Sequence, residues 1–308
     1  MIAGLLSVVE AELAAQAGRV ASGQFAVIAM GKLGGREMTA SSDLDLIFVF
    51  DALEGVESSD GASPMPVTVY YARLAQRLIA ALTVPTAAGS LYEVDMRLRP
   101  TGNKGPVAVS LEAFTRYHET EAWTWERLAL TRARAIAGSE TLRRKVEAVI
   151  RAALTVKTGE AKLIADARDM REKLAVQFPP RNNWDLKFAR GGLVDIEFLA
   201  QTLQLVAAPD EPEVLDSNTI AAIERLTKAG RLPQPDAEAL IDAAVLEQAL
   251  SHVLRIALDA TLDPATATPG LKALLVRAGD AKSFTELEER LANLQGAARD
   301  VFERLISV

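Results

Sequence analysis

At 308 residues the chain has room for about two domains, and a 49% hydrophobic content supplies a sizeable core. A net charge of −7 without any Lys/Arg block disfavours partners that are tracked by their phosphate backbone, so nucleic acid is not an expected ligand. No cysteine is present, which excludes disulfides and thiolate metal sites and fits a reducing cytoplasm, and two histidines, His118 and His252, are too few for a His-rich zinc site.

Aromatic residues make up 5% of the chain while Ala and Leu abound, a composition that leans helical. Residues 2–17 carry Glu10 and Glu12 and no basic start, which fits an amphipathic helix better than a secretion signal. No apolar run approaches the ~18 residues that span a bilayer, so no membrane association is expected.

The run QFAVIAM, 24–30, reads as a buried strand, a loop follows, and LDLIFVF, 44–50, reads as a second strand. Residues 52–65 are acidic and rich in Gly, Ser and Pro, which predicts an exposed, mobile loop. Residues 67–82 predict a helix with Tyr71, Leu74, Leu78 and Leu82 on one side. SLYEVDMRLRP, 90–100, alternates: Tyr92, Val94, Met96 and Leu98 form the core face, and Leu91, Glu93, Asp95 and Arg97 the polar one. Pro100 ends that strand, TGNKG makes a turn, and PVAVS a further strand.

From about residue 110 the pattern turns helical. Residues 110–130 make one or two helices, TRARAIAG at 131–138 fits a strand or a helix end, and 139–175 hold two more helices. PPRNNW, 179–184, is a break; DLKFARGG, 185–192, is a short extended piece before a helix through about 206. Helices separated by loops at 208–214, 231–235 and 263–269 fill the remainder. The last opens on the capping box Ser283-Phe284-Thr285-Glu286, with Leu287, Leu291, Leu294, Ala298, Val301 and Leu305 at helical spacing. The expected fold is therefore α+β for about 140 residues and all-helical afterwards.

The chemistry concentrates in GKLGGREMTASSDLDLIFVFD, 31–51. Asp43 and Asp45 point to one side of their strand, and two carboxylates so placed stay ionised together only around a cation or in solvent. Hard oxygen ligands suit Mg²⁺, usually held by one or two carboxylates plus substrate phosphates, and Gly34-Gly35 upstream lets backbone N–H groups approach those phosphates. Asp95 joins them if its strand is a neighbour. Three such carboxylates beside a glycine pair suggest two-metal nucleotidyl transfer, although a D-x-D pair alone is as well read as a solvated strand end.

Five motifs in order, GKLGG, SSDLDLIF, LYEVDMRLRPTGNKG, AWTWERLALTRAR and KFARGGLVDIEF, resemble the glutamine synthetase adenylyltransferase family, within the DNA polymerase β-like nucleotidyltransferase superfamily. The resemblance covers about residues 24–206. It implies a nucleotidyltransferase domain, 1–138, with a mixed sheet flanked by helices, followed by a helical bundle domain, 139–308. AWTWERLALTRAR and GGLVDIEF resemble the C-terminal, adenylylating half of that two-headed enzyme more than the adenylyl-removing half. The implied reaction transfers AMP from ATP to a tyrosine hydroxyl of glutamine synthetase, releasing pyrophosphate, with two Mg²⁺ ions and in the service of nitrogen assimilation. The PII signalling protein is implied as a regulatory partner.

By the same resemblance Asp43, Asp45 and Asp95 are the metal-binding and catalytic carboxylates, with Asp95 nearest the attacking oxygen. Gly34, Gly35 and Ser42 are candidates for the triphosphate. Arg97 reaches either a phosphate or a neighbouring carboxylate. Arg99 shares that face if the strand persists, and Lys104, Arg132 and Arg134 read as solvated or near the ATP. Gly191-Gly192 opens a helix and suits an anion or a tight packing turn. Asp195 and Glu197 lie about 200° apart on that helix, so one faces a cleft and the other braces the turn; Asp195, with Lys187 nearby, is the ATP-binding candidate. Trp123 and Trp125 read as packing residues, and both histidines as structural.

Overall fold

The computed structural model of the chain describes residues 1–87, 89–90 and 92–306. They form two compact units, Met1–Met38 with Ser42–Leu154, and Thr39–Ser41 with Thr155–Val308. Leu91, placed on the polar face above, and residues 307–308 of the expected second domain lie outside the described residues.

The first unit runs α1 (Ile2–Ala17), β1 (Gln24–Ala29), the single turn α2 (Gly31–Gly34), β2 (Leu44–Asp51), α3 (Val67–Thr83), β3 (Pro85–Thr86) and β4 (Gly89–Ser90). It continues through β5 (Val94–Asp95), a 3₁₀ turn at Gly102–Lys104, β6 (Ala108–Ser110), α4 (Leu111–Thr120), α5 (Thr124–Leu130), β7 (Arg134–Gly138) and α6 (Glu140–Leu154). A mixed sheet takes the order β5-β2-β1-β7. β1 pairs antiparallel with both β2 and β7, while β5 and β6 pair parallel with β2. β5 lies beside Leu44 and Asp45, and β6 beside Phe48–Phe50, so two short strands share one edge of β2. β3 and β4 pair only with each other.

The near-continuous apolar runs of β1 and β2 follow from burial on both faces. Phe25, Val27, Leu44, Leu46, Phe48 and Phe50 pack with Leu6, Leu13, Tyr71, Leu74 and Leu78 of α1 and α3. Ile28, Ile47 and Val49, on the alternate positions, are buried too, on the side where α4 and α6 contact the sheet. Asp43 and Asp45 share the alternation of Ile47 and Val49, so the carboxylates belong to the α4/α6 face.

Four segments differ from expectation. The loop after β1 contains the helical turn α2, closed by Gly34 N–H to Met30 O and Gly35 N–H to Gly31 O, at 2.9 and 3.0 Å. The acidic loop at 52–65 is tied down: Ser59 is buried and its hydroxyl donates to Ala17 O at 2.6 Å, while Asp60 accepts from Arg19 N–H at 2.6 Å. The strand expected over 90–100 is reduced to Val94–Asp95. Asp95 Oδ1 accepts the N–H of Arg97 at 2.8 Å, an Asx-type bond that turns the chain away from β2. Residues 185–192 are successive turns, not extended, because the carbonyl of Asp185 accepts from Phe188 N–H and Ala189 N–H. TRARAIAG, open between strand and helix end, supplies β7.

Among its described residues the second unit is all helical: α7 (Glu160–Gln177), α8 (Leu193–Ala207), α9 (Thr219–Lys228), α10 (Gln234–Ala257), α11 (Pro269–Ala278) and α12 (Phe284–Ile306). Leu287, Leu291, Ala298 and Val301 are buried as the helical spacing requires, and Leu287 and Leu291 meet Trp184, Leu246, Leu250 and Leu275. Ser283 accepts from Glu286 N–H at 3.1 Å, but Glu286 reaches Lys282 N–H rather than that of Ser283, so the box is completed one residue early. The chain is thus α+β with a helical region following. No helix among the described residues is long and apolar enough to cross a membrane.

His118 is one of the buried polar residues of the first unit. It is 8% exposed, lies edge-on to Phe114 and Tyr117 at 4.5 and 5.5 Å between ring centres, and neither ring nitrogen has a hydrogen-bond partner. Burial pulls its pKa down to about 4. The unfolded chain, with His near 6.5, takes up the proton first, so stability falls as pH drops from about 6.5 to about 4. The loss from this residue reaches at most roughly 3 kcal/mol. Urea titrations across that range should show the slope in the parent and a shallower one in His118→Leu; equal slopes would remove His118 as the cause.

Candidate functional site

Parallel pairing sets Asp45 directly opposite Asp95, on neighbouring strands and on the same face of the sheet. Asp43 precedes β2 by one residue and points the same way as Asp45. An open cleft of about 440 Å³ is lined by Asp43, Glu93, Asp95, Met96, Arg97 and Asn103, with Ile79 and Val94 at its apolar side. Glu93, read from the sequence only as part of the polar face, enters because its carbonyl holds Leu44 N–H at 2.8 Å, and Asn103, without a sequence signal, because the 3₁₀ turn lies beside the strand end.

Arg97 is the counter-ion of this cluster. Its Nε donates to Asp95 Oδ2 at 2.7 Å and its backbone N–H to Oδ1 at 2.8 Å. Burial works to raise the Asp95 carboxyl, but the Arg97 side-chain and backbone hydrogen bonds and charge, helped by Arg99, outweigh it and hold the carboxyl below the usual aspartate range. Arg97 is in turn held more firmly protonated, first by Asp95 and then by Asp45 and Asp43. Of the two roles open to Arg97 from the sequence, the carboxylate pairing is thus the one formed. Arg99 does not extend a strand face; it donates to Met96 O at 2.8 Å and Gly105 O at 3.3 Å and fastens the turn. Lys104 is exposed on that turn.

The glycine turn stands behind Asp45. Gly31 has φ +51°, and a Cβ there would lie 2.3 Å from Asp45 Oδ2. Gly34 is equally confined, since a Cβ would lie 1.9 Å from Arg132 O. The amides of Gly34 and Gly35 are already donated to Met30 O and Gly31 O, and Gly34 serves close packing. Arg132 and Arg134, read from sequence as solvated, instead clamp the turn. Arg132 is buried, pairs with Glu37 and donates to Gly31 O at 3.1 Å; Arg134 donates to Gly34 O and Leu33 O, each at 3.2 Å. Ser42 is half-buried just before the carboxylates.

Magnesium, implied by the carboxylate pattern, meets a donor set of the right chemistry: hard oxygens on one face of adjacent strands. In this arrangement Arg97 holds Asp95, and among the described residues no three His, Cys, Asp or Glu side chains converge as a ready-made metal cage. A site completed by substrate phosphates fits these residues better than an all-protein cage.

The remaining candidates lie in the second unit. Asp195 is 1% exposed; it accepts from Arg171 Nε and from Gly191 N–H, while Arg171 also donates to Phe188 O at 3.0 Å. It is Asp195 that braces the turn, and Glu197, two residues on, is half-buried. Gly191, at φ +80°, approaches α12 so closely that a Cβ would lie 1.8 Å from Gln295 O, and a Cβ on Gly192 would lie 2.7 Å from Leu186 O. Lys187 is exposed and lies 4.9 Å over the Phe188 ring. Nearby Glu247 is fully buried, accepts from Gln295 Nε2 at 2.9 Å, and is pushed well above the usual carboxylate range by burial. A glutamate within an ordinary helical pattern gives no sequence signal of such burial.

Residues 3–149 match the family model for glutamate-ammonia ligase adenylyltransferase, and residues 165–304 that for GlnD PII-uridylyltransferase. The bifunctional glutamine synthetase adenylyltransferase/adenylyl-removing enzyme of Rhodopseudomonas palustris is 48% identical over 298 residues, 97% of this chain and 30% of the relative. The chain belongs to the glutamate-ammonia ligase adenylyltransferase family. Family proteins of the same description from Xanthobacter autotrophicus and Rhizobium meliloti are 48% and 45% identical, over 94% and 100% of the chain and 29% and 31% of their own lengths. The chain therefore spans about 30% of these adenylyltransferase relatives.

The Asp195–Arg171 pair yields a prediction of its own. Asp195→Asn leaves a buried guanidinium without its anion, which costs about 3–5 kcal/mol. Thermal or urea unfolding of the second unit should register that loss, and a variant as stable as the parent would show that the pair does not brace this core.

Proposed function

We propose that the chain transfers AMP from ATP to a tyrosine hydroxyl of glutamine synthetase and releases pyrophosphate. The observation that carries this reading is the alignment of Asp45 with Asp95, Asp43 on the same face, in a chain 48% identical along 97% of its length to an enzyme named for that transfer. The tyrosine oxygen attacks the α-phosphorus, the bond to the oxygen bridging the β-phosphate breaks, and pyrophosphate leaves with that electron pair. Asp43, Asp45 and Asp95 would hold magnesium, which when bound supplies charge neutralisation at the phosphates and eases a phenol of pKa near 10 toward phenolate.

The chain's own groups do the positioning. Gly31 leaves room for the Asp45 carboxylate, and Arg132 and Arg134 fix the turn that packs against it. Arg97, largely exposed, exchanges Asp95 for a triphosphate oxygen as substrate enters, and Ser42 lies at the same strand end. Asp95, nearest the attacking oxygen, is a weak base while Arg97 holds it and a better proton acceptor once Arg97 has moved to phosphate. Gly34 and Gly35 we assign to the turn that stands behind Asp45. Gly191, Gly192 and Asp195 we assign to bracing the second unit, beside which Lys187 stays exposed.

The relatives' name also covers an adenylyl-removing reaction, which the family resemblance implies takes phosphate and adenylylated target. The motifs AWTWERLALTRAR and GGLVDIEF support the adenylylating half, acting in the cytoplasm on nitrogen assimilation. The match of residues 165–304 to a PII-uridylyltransferase model supports PII signalling protein as a regulatory partner.

Labelled ATP, Mg²⁺ and unmodified glutamine synthetase should give labelled enzyme, whereas phosphate with adenylylated target should release little nucleotide. Asp43→Asn or Asp45→Asn should lower transfer by about a hundredfold or more at unchanged melting temperature, the loss of a few kcal/mol of transition-state stabilisation. Full activity in either variant would overturn the assignment of the site.

A further inference from the structure

The first unit presents two tryptophans to solvent. Trp123 is 69% exposed and Trp125 40%, contrary to the packing role read from the sequence. Large aromatics so exposed are costly to leave in water and are enriched at interaction hot spots.

Their place in the fold is defined by three observations. β6 ends at Ser110, opposite Phe50, at the end of β2 remote from Asp43. α4 begins there, runs for ten residues, about 15 Å, and contacts β2 on the carboxylate face. α5 then leads into β7, whose first residue Arg134 lies opposite Ala29, itself opposite Leu46, next to Asp45. The tryptophans therefore emerge at the carboxylate end of the sheet.

The segment is held rigidly. Glu126 is buried and accepts from Trp123 N–H at 2.9 Å and from Tyr117 OH at 2.6 Å. The backbone of Thr101 also bonds the Tyr117 hydroxyl, which ties the segment to the turn bearing Asn103 at the edge of the Asp43/Asp95 cleft. A preformed aromatic surface loses little freedom on binding.

Charge selects the occupant. Exposed Glu119 and Glu121 precede the tryptophans in the chain, and Glu119 shares a groove with Glu112, Arg116 and the paired Asp51 and Lys145, which leaves carboxylates in excess there in a chain of net charge −7. Such a rim repels polyphosphate and nucleic acid and favours Lys or Arg, which also bind indole faces. We propose that Trp123 and Trp125, with Glu119 and Glu121, dock a basic segment of the protein substrate and so bring its tyrosine to the cleft. This rests on the adenylyl-transfer reading above.

The test is steady-state transfer of labelled AMP to glutamine synthetase by the full chain, its Trp123→Ala/Trp125→Ala variant and its Glu119→Lys/Glu121→Lys variant. The expected result is a KM for glutamine synthetase raised about tenfold or more in each, with kcat at saturation, ATP affinity and melting temperature unchanged. A KM for glutamine synthetase within about twofold of the parent overturns the docking surface. So does a loss confined to ATP affinity, which would make the tryptophans a base-stacking site, or a change confined to oligomeric mass, which would make them a contact between copies. A parent chain that transfers no AMP overturns the functional reading, and the proposal with it; a parent that transfers AMP beside an unimpaired variant overturns docking alone.

Discussion

Strand register at one end of β2 sets Asp45 opposite Asp95, with Asp43 on the same face, and this placement of three aspartates is the constraint on which the site depends. Asp45 and Asp95 are fixed opposite each other by strand register, so neither can move away without breaking the sheet. Asp43 is exposed to solvent, and Arg97 grips both oxygens of Asp95. Arg97 itself is mostly exposed and springs from a turn, so it is the member of the cluster free to exchange partners. A field that needs positive charge, met by a movable arginine, is suited to a polyphosphate arriving with its cations.

The layers behind the carboxylates explain why neighbouring sequence is so particular. Gly31 cannot carry a side chain without striking Asp45, and Gly34 cannot without striking Arg132. Arg132 and Arg134 look like a basic surface patch in sequence, yet their guanidiniums end on the carbonyls of the glycine turn. The second unit uses the same device in another setting: Arg171 and Asp195 are buried together, and Gly191 gives its amide to the same carboxylate. Buried pairs of this kind do little for net stability but are expensive to break, which suits a structure that must hold one conformation.

Much of this was legible in the sequence where one physical signal dominates. The apolar runs of β1 and β2 and the heptad-like stripe of α12 report burial directly. The D-x-D alternation located the carboxylate face, and alternation at 92–96 put Val94 and Met96 against the core with Asp95 on the other side. Pattern failed where local hydrogen bonding competes with the sheet. Residues 97–100 alternate as a strand should, but Asp95 bonds the Arg97 amide and bends the chain out of the ladder. Asp185 has a similar effect at the start of a segment that reads as extended. Long-range partners were invisible too: nothing near Arg132 announces Glu37, and nothing near Trp123 announces that it is left in solvent.

The central claim is that Asp43, Asp45 and Asp95 act as one cation-binding cluster in the presence of nucleotide. Titration of the full chain with Mn²⁺ beside a non-hydrolysable ATP analogue, followed by electron paramagnetic resonance, measures this without relying on turnover. The account predicts saturable Mn²⁺ binding in the parent chain that is lost in Asp45→Asn while the fold is retained. Equal Mn²⁺ binding by parent and variant would contradict it.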